Sequence, residues 1–171
     1  MKIYITTGKG YGQTALSAFD AALKDAGINN FNLIALSSII PANSQIIYKK
    51  KLKFPDECFG HRLYLVKAEA RSRESNKYLG AALGWYQIDD GRGVFVEHEQ
   101  IGETEEAVIS NLTEEVRKSL TDLCKFRKHP VSDKKMKIKI NVTKVEDMAA
   151  CTLVAAVYKY EGWEYTEKTQ V

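Results

Sequence analysis

With 171 residues, 44% of them apolar and 27% charged, the chain is long enough for a single globular domain, 1–171, with a sizeable core. Its net charge of +3 is too mild for a dedicated nucleic-acid binder, so no nucleic-acid partner is expected. Cys58, Cys124 and Cys151 are odd in number and lack a CxxC pair, which argues against a disulfide framework or zinc site and for a reducing compartment.

The chain opens with Lys2-Ile3-Tyr4-Ile5-Thr6, whose alternation predicts a half-buried strand. This opening is too short in apolar length for a signal peptide, and no run reaches the roughly 18 apolar residues of a membrane span. A cytoplasmic protein with no membrane contact is expected. Gly8-Lys9-Gly10-Tyr11-Gly12 predicts a tight turn into a helix capped by Thr14. Leu16, Phe19, Leu23 and Ala26 recur there at helical spacing, and Gly27 ends the helix. Asp20 lies one turn beyond Leu16, on nearly the same face, the one expected to meet the sheet.

A second strand is expected over 31–37, buried on both faces apart from Asn32 and stopped by Pro41. Residues 42–60, with the run Lys49-Lys50-Lys51, read as an irregular loop. Strands follow over 62–70, 79–88 and 93–99, the last two joined by the turn signal Asp89-Asp90-Gly91. Glu103-Thr104-Glu105-Glu106 opens a long helix with the stripe Ile109, Leu112, Val116, Leu120 and Leu123. The basic stretch from Lys125 to Lys135 reads as a solvated helix end. Met136, Ile138, Ile140 and Val142 alternate as a strand, a last strand covers roughly 150–158, and the tail from Glu161 reads as peripheral. This order predicts an α+β fold in which two helices cover antiparallel sheet.

The chemistry concentrates at Ser37-Ser38, between a β-like run and the apolar turn Ile39-Ile40-Pro41. The Ser38 hydroxyl stands next to the Ser37 carbonyl. In a strained backbone, an N→O acyl shift and elimination would turn Ser38 into a pyruvoyl group. The glycine segment departs from both nucleotide fingerprints: Gln13 precedes Thr14 where a phosphate loop needs Ser or Thr, and the spacing is G-x-G-x-G. A close backbone approach is the reading that remains. Asp20 is either a solvated helix residue or a semi-buried carboxylate needing a cationic partner. Glu97 and Glu99 share a strand face with Phe95, and Val94, Val96 and His98 occupy the other. Glu99 reads as wet, whereas Glu97 sits deeper, where partial burial would raise its pKa and suit it to proton donation. His61, His98 and His129 show no ligand spacing, so no metal is assigned.

The stretch Thr6-Thr7-Gly8-Lys9-Gly10-Tyr11-Gly12-Gln13-Thr14, then Leu16-Ser17-Ala18-Phe19-Asp20 and Asn32-Leu33-Ile34 through Ser37-Ser38-Ile39-Ile40-Pro41, resembles the pyruvoyl-dependent arginine decarboxylases. Gly93-Val94-Phe95-Val96-Glu97 and Gly162-Trp163-Glu164 fit the same family. The resemblance implies a four-layer αββα sandwich with largely antiparallel sheets. It implies a proenzyme cut between Ser37 and Ser38 into a β chain (1–37) and an α chain (38–171) capped by pyruvoyl. It places Asn32 near the new keto group, Asp20 on the substrate guanidinium with Leu16 and Ser37 beside it, and Glu97 as proton donor. The implied reaction converts L-arginine to agmatine and carbon dioxide through an imine with the pyruvoyl group, a step of polyamine biosynthesis. The implied assembly is a homotrimer, or a dimer of such trimers, with active sites between neighbouring protomers. Glu97→Gln is expected to process normally and lose turnover. A pyruvoyl decarboxylase of another amino acid and an uncleaved, non-catalytic assembly module are the competing readings.

Overall fold

The glycines near the amino terminus do not make a turn. Lys2–Gly12 form one strand, β1, and a Cβ at Gly8 or Gly10 would run into the backbone oxygens of Ala22 and Ala18. The missing side chains therefore let a helix lie directly on the strand, which is the close approach the sequence suggests without the turn it predicts. That helix, α1 (Ala15–Ala26), starts at Thr14, whose hydroxyl accepts the Ser17 N–H while the Ser17 hydroxyl accepts the Thr14 N–H. It ends at Gly27 in the left-handed conformation, φ 80°.

The structure, a computed structural model, describes residues 1–163. After α1 come β2 (Asn32–Ala35), β3 (Ile39–Ile40), β4 (Gln45–Tyr48), β5 (Arg62–Ser72), β6 (Tyr78–Gln87) and β7 (Gly93–Gly102). Then follow α2 (Glu105–Phe126), β8 (Lys137–Lys144) and β9 (Ala149–Glu161). One sheet has the order β2-β5-β9-β1-β4 and the other β3-β7-β6-β8. Pairing is antiparallel except at the two edges of the larger sheet, where β2 runs parallel to β5 and β4 parallel to β1.

Three apolar clusters fill the spaces between four layers, giving the αββα sandwich. Ala18, Ala22, Leu23 and Ala26 of α1 pack on Leu63, Leu65, Leu153 and Ala155 of the larger sheet. Ile3, Ile5, Val66, Leu83, Phe95, Val154 and Ala156 join the sheets face to face. Val108, Leu112, Val116, Leu120 and Cys124 of α2 pack on the smaller sheet. Val108 takes the inward place expected of Ile109, because a strict four-residue spacing turns Ile109 outward, where it is 39% exposed.

Three further expectations change. The irregular 42–60 segment contains β4, which β1 recruits by parallel pairing of Lys2–Ile5 with Gln45–Tyr48. Residues 31–37 are not a strand buried on both faces: β2 is a short sheet edge with Asn32, Ile34 and Ala35 exposed. The start of the tail is not peripheral, since Arg62 donates to the Gly162 carbonyl and the Trp163 indole N–H to the Gly60 carbonyl. Residues 164–171 of that tail lie outside the described residues. Among the described residues no helix is long and apolar enough to cross a membrane.

Candidate active site

Leu36, Ser37 and Ser38 carry the chain from β2 in one sheet to β3 in the other. The crossing is short, and its geometry is set at both ends. The Leu36 N–H donates to Leu65, and Ile39 and Ile40 pair with Val94 and Gly93. To make the change of sheet in so few residues, Ser38 adopts φ 66°. A non-glycine residue in the left-handed region is strained by its Cβ, at a cost of order 1–3 kcal/mol. The strain falls on the residue whose nitrogen belongs to the Ser37–Ser38 peptide.

Strand β7 supplies two partners to this serine. The Phe95 N–H donates to the Ser38 carbonyl at 2.8 Å. The Ser38 hydroxyl donates to Glu97 Oε1 at 2.5 Å. Alternation along β7 sends Phe95 and Glu97 between the sheets while Val94 and Val96 face α2, where His98 meets the Ser119 hydroxyl at 2.8 Å. Phe95 is fully buried and Glu97, next along the same face, is half-buried. Glu97 therefore meets solvent on one side and the serine on the other.

Strand β9 adds a residue that sequence reasoning missed. Leu65 pairs with Val157 and Tyr64 with Lys159, so Tyr158 is the extra residue of a β-bulge. Its ring stands edge-on to Phe95 at 6.2 Å, and its hydroxyl donates to the Ile39 carbonyl at 2.9 Å. Burial, and secondarily the negative charge of Glu97, push the phenol pKa well above its usual value, so the hydroxyl keeps its proton and remains a donor. The available signal was one tyrosine closing a run of small apolar residues. The bulge that fixes its place depends on pairing with β5.

The other expected site residues lie apart from this cluster. Ser37 is exposed beside Ser38. Asn32 begins β2, its side-chain amide donating to the Gly60 carbonyl at 2.6 Å and its N–H to the His61 carbonyl at 2.8 Å. Three residues of strand, about 10 Å, separate it from the start of the crossover. Asp20 and Leu16 stand on the outer face of α1, Leu16 being 70% exposed, so the expectation that they face the sheet is corrected. Small residues explain the rotation of the helix: Ala18 and Ala22, not Leu16, fit over the glycines of β1. Among the described residues no ion pair or hydrogen bond joins Asp20 or Asn32 to Ser38 or Glu97.

A cavity of about 510 Å³ lies at the end of β9, with Tyr4, Lys49, Phe54, Tyr158 and Tyr160 in its wall, so Tyr158 borders both it and the crossover. It contains neither Ser38 nor Glu97, and the reactive groups identify the crossover rather than this cavity as the site. Cysteine offers no rival nucleophile: all three thiols are buried, and burial pushes Cys151 up to about 12. The crossover suits a pyruvoyl precursor on its own geometry. It has a strained serine, a carboxylate on the hydroxyl, and a backbone N–H fixed on the carbonyl that would lie next to the ketone.

The family described as pyruvoyl-dependent arginine decarboxylase (PvlArgDC) matches residues 2–162. The chain belongs to this family. It is 31% identical over 165 residues to the pyruvoyl-dependent arginine decarboxylase of Thermoplasma volcanium, across 95% of this chain and 90% of that relative. It is 39% identical over 110 residues to that of Picrophilus torridus and 33% identical over 108 to that of Methanocella arvoryzae. Those two matches span 61% of this chain and 58% and 64% of the relatives. Membership carries decarboxylase chemistry and a covalently bound pyruvoyl cofactor.

Proposed function

We propose that this chain cuts itself between Ser37 and Ser38, and that fragment 38–171, headed by the pyruvoyl group, decarboxylates L-arginine to agmatine in the cytoplasm. One observation carries the reading: Ser38 is held at φ 66° with its hydroxyl 2.5 Å from Glu97. In the uncut chain the Glu97 carboxylate accepts the hydroxyl proton as Ser38 Oγ attacks the Ser37 carbonyl carbon. The nitrogen of Ser38 is released as an amine and an ester forms. Elimination then frees Ser37 as a carboxylate, and water replaces the nitrogen as ammonia, leaving the ketone.

When present, the pyruvoyl group supplies the electron sink for the pair left behind by departing carbon dioxide. The chain's residues supply the rest. The Phe95 N–H, already on the Ser38 carbonyl, steadies negative charge developing there. Glu97, whose Oε1 lies against residue 38, would take up a proton released as the substrate amine condenses and deliver it to the former α-carbon after carbon dioxide leaves. The Asp20 carboxylate receives the substrate guanidinium through paired N–H bonds that an ammonium cannot copy. Leu16 packs on the substrate stem, Ser37 borders it, and Asn32 lines the pocket.

Since Asp20 and Leu16 are exposed and, among the described residues, no hydrogen bond or ion pair joins them to Ser38, the complete site forms between neighbours in a homotrimer. The exposed Ile34 and Ile39 beside the crossover support a subunit contact there. The test is the intact mass of the purified protein. The expected result is fragments 1–37 and 38–171 for the wild type and one full-length chain for Ser38→Ala. A wild-type chain that stays whole would overturn the reading.

A further inference from the structure

Ser38 must keep its strained backbone until the cut occurs, and the contacts that hold it are few. Its carbonyl is fixed by the Phe95 N–H, and the two-residue strand β3 has only Ile39 and Ile40 to pair with β7. Two residues of edge strand are a weak clamp. The next carbonyl along, that of Ile39, receives the Tyr158 hydroxyl at 2.9 Å. This bond reaches across 119 residues of sequence, from the larger sheet to the smaller. It is also made by the extra residue of the β9 bulge, and bulges characteristically re-aim a side chain beside a functional site. The edge-on contact with Phe95 locks the ring, so the hydroxyl has little freedom to leave the Ile39 carbonyl.

We infer that Tyr158 is a positioning residue for self-cleavage: its hydroxyl, held against Phe95, anchors Ile39 so that Ser38 stays in the left-handed conformation with its Oγ on Glu97. The inference rests on the reading that Ser38 cuts the chain. Among the described residues no hydrogen bond joins Tyr158 to the scissile carbonyl or to the Ser38 hydroxyl. Its effect passes through the Ile39 backbone, on which its hydroxyl is already a donor at 2.9 Å. Without the anchor, rotation about Ser38 relaxes toward ordinary backbone angles and carries Oγ away from Glu97 and the Ser37 carbonyl.

The two roles open to Tyr158, packing and anchoring, separate in a pair of variants. Tyr158→Phe keeps the ring and removes the hydroxyl, and Tyr158→Leu removes both. Cell-free synthesis followed by intact-mass sampling gives the rate of cutting for each chain beside the wild type and Ser38→Ala. We expect Tyr158→Phe to cut about tenfold more slowly, as loss of one orienting hydrogen bond implies. In the uncut Ser38→Ala background, Tyr158→Phe should leave the melting temperature in place while speeding hydrogen exchange at the Phe95 amide, whose acceptor is residue 38. Cutting of Tyr158→Phe at the wild-type rate, with only Tyr158→Leu impaired, overturns the inference and leaves the function standing. The inference fails equally if Tyr158→Phe lowers the melting temperature of the uncut chain in step with its slower cutting. A wild-type chain that never cuts refutes the function itself.

Discussion

Ser38 has a conformation that serine seldom adopts, and the carboxylate on its hydroxyl gives that strain a use. The pairing also changes what Glu97 is expected to do. Read along the chain, Glu97 is a proton donor for turnover whose replacement by glutamine spares processing. In the fold it accepts a hydrogen bond from the residue that must lose a proton for the chain to cut. Glu97→Gln is therefore expected to slow self-cleavage about 100-fold, the usual order for loss of a positioned base. Uncut chain accumulating in an intact-mass time course checks this, and wild-type cutting would confine Glu97 to later steps. The serine pair and the face of β7 bearing Glu97 were both legible in the sequence, because one is a local dipeptide and the other a two-residue alternation. Their contact was not. It joins positions 59 apart, and only the crossover between sheets brings them together. Tyr158 was hidden for a related reason, since a bulge is a mismatch of two strands and leaves no mark on either alone.

Strand β1 shows how an element can be correct in its physics and wrong in its assignment. Its glycines do permit close approach, yet the approach is by α1 lying along a strand, and the same device recurs on β6, where Gly80 and Gly84 make room for Val108 and Val116 of α2. Gly10→Ala should thus force a methyl into the backbone of α1 and destabilise the protein by about 3 kcal/mol. The midpoint of denaturant unfolding of the Ser38→Ala chain measures it, and a change within error would mean that α1 is free to lift. The long helix, the hairpin and the central strands were legible because their apolar periods are long. Strands β3 and β4 were not: two and four residues are too short to show a period, and parallel pairing with β1 is what makes β4 a strand at all.

At the scale of the molecule, a single protomer has the serine and the acid while leaving Asp20 on an open helix face. In a closed ring of like subunits, each site would join Ser38 of one chain to Asp20 of the next. Ser38→Ala and Asp20→Ala are each expected to be inactive on arginine alone. Co-expressed, they should recover about a quarter of wild-type activity, since one contact in four then unites two intact halves. No recovery would place both residues in the same chain's site. The position of β1 has a consequence for the life of such an enzyme. Fragment 1–37 holds β1, α1 and β2, and β1 lies inside the larger sheet between β9 and β4. The cut therefore severs a bond without freeing a piece. Before it, folding is a reaction of one chain with itself; after it, regaining the same sheet is a meeting of two molecules, and its yield depends on dilution.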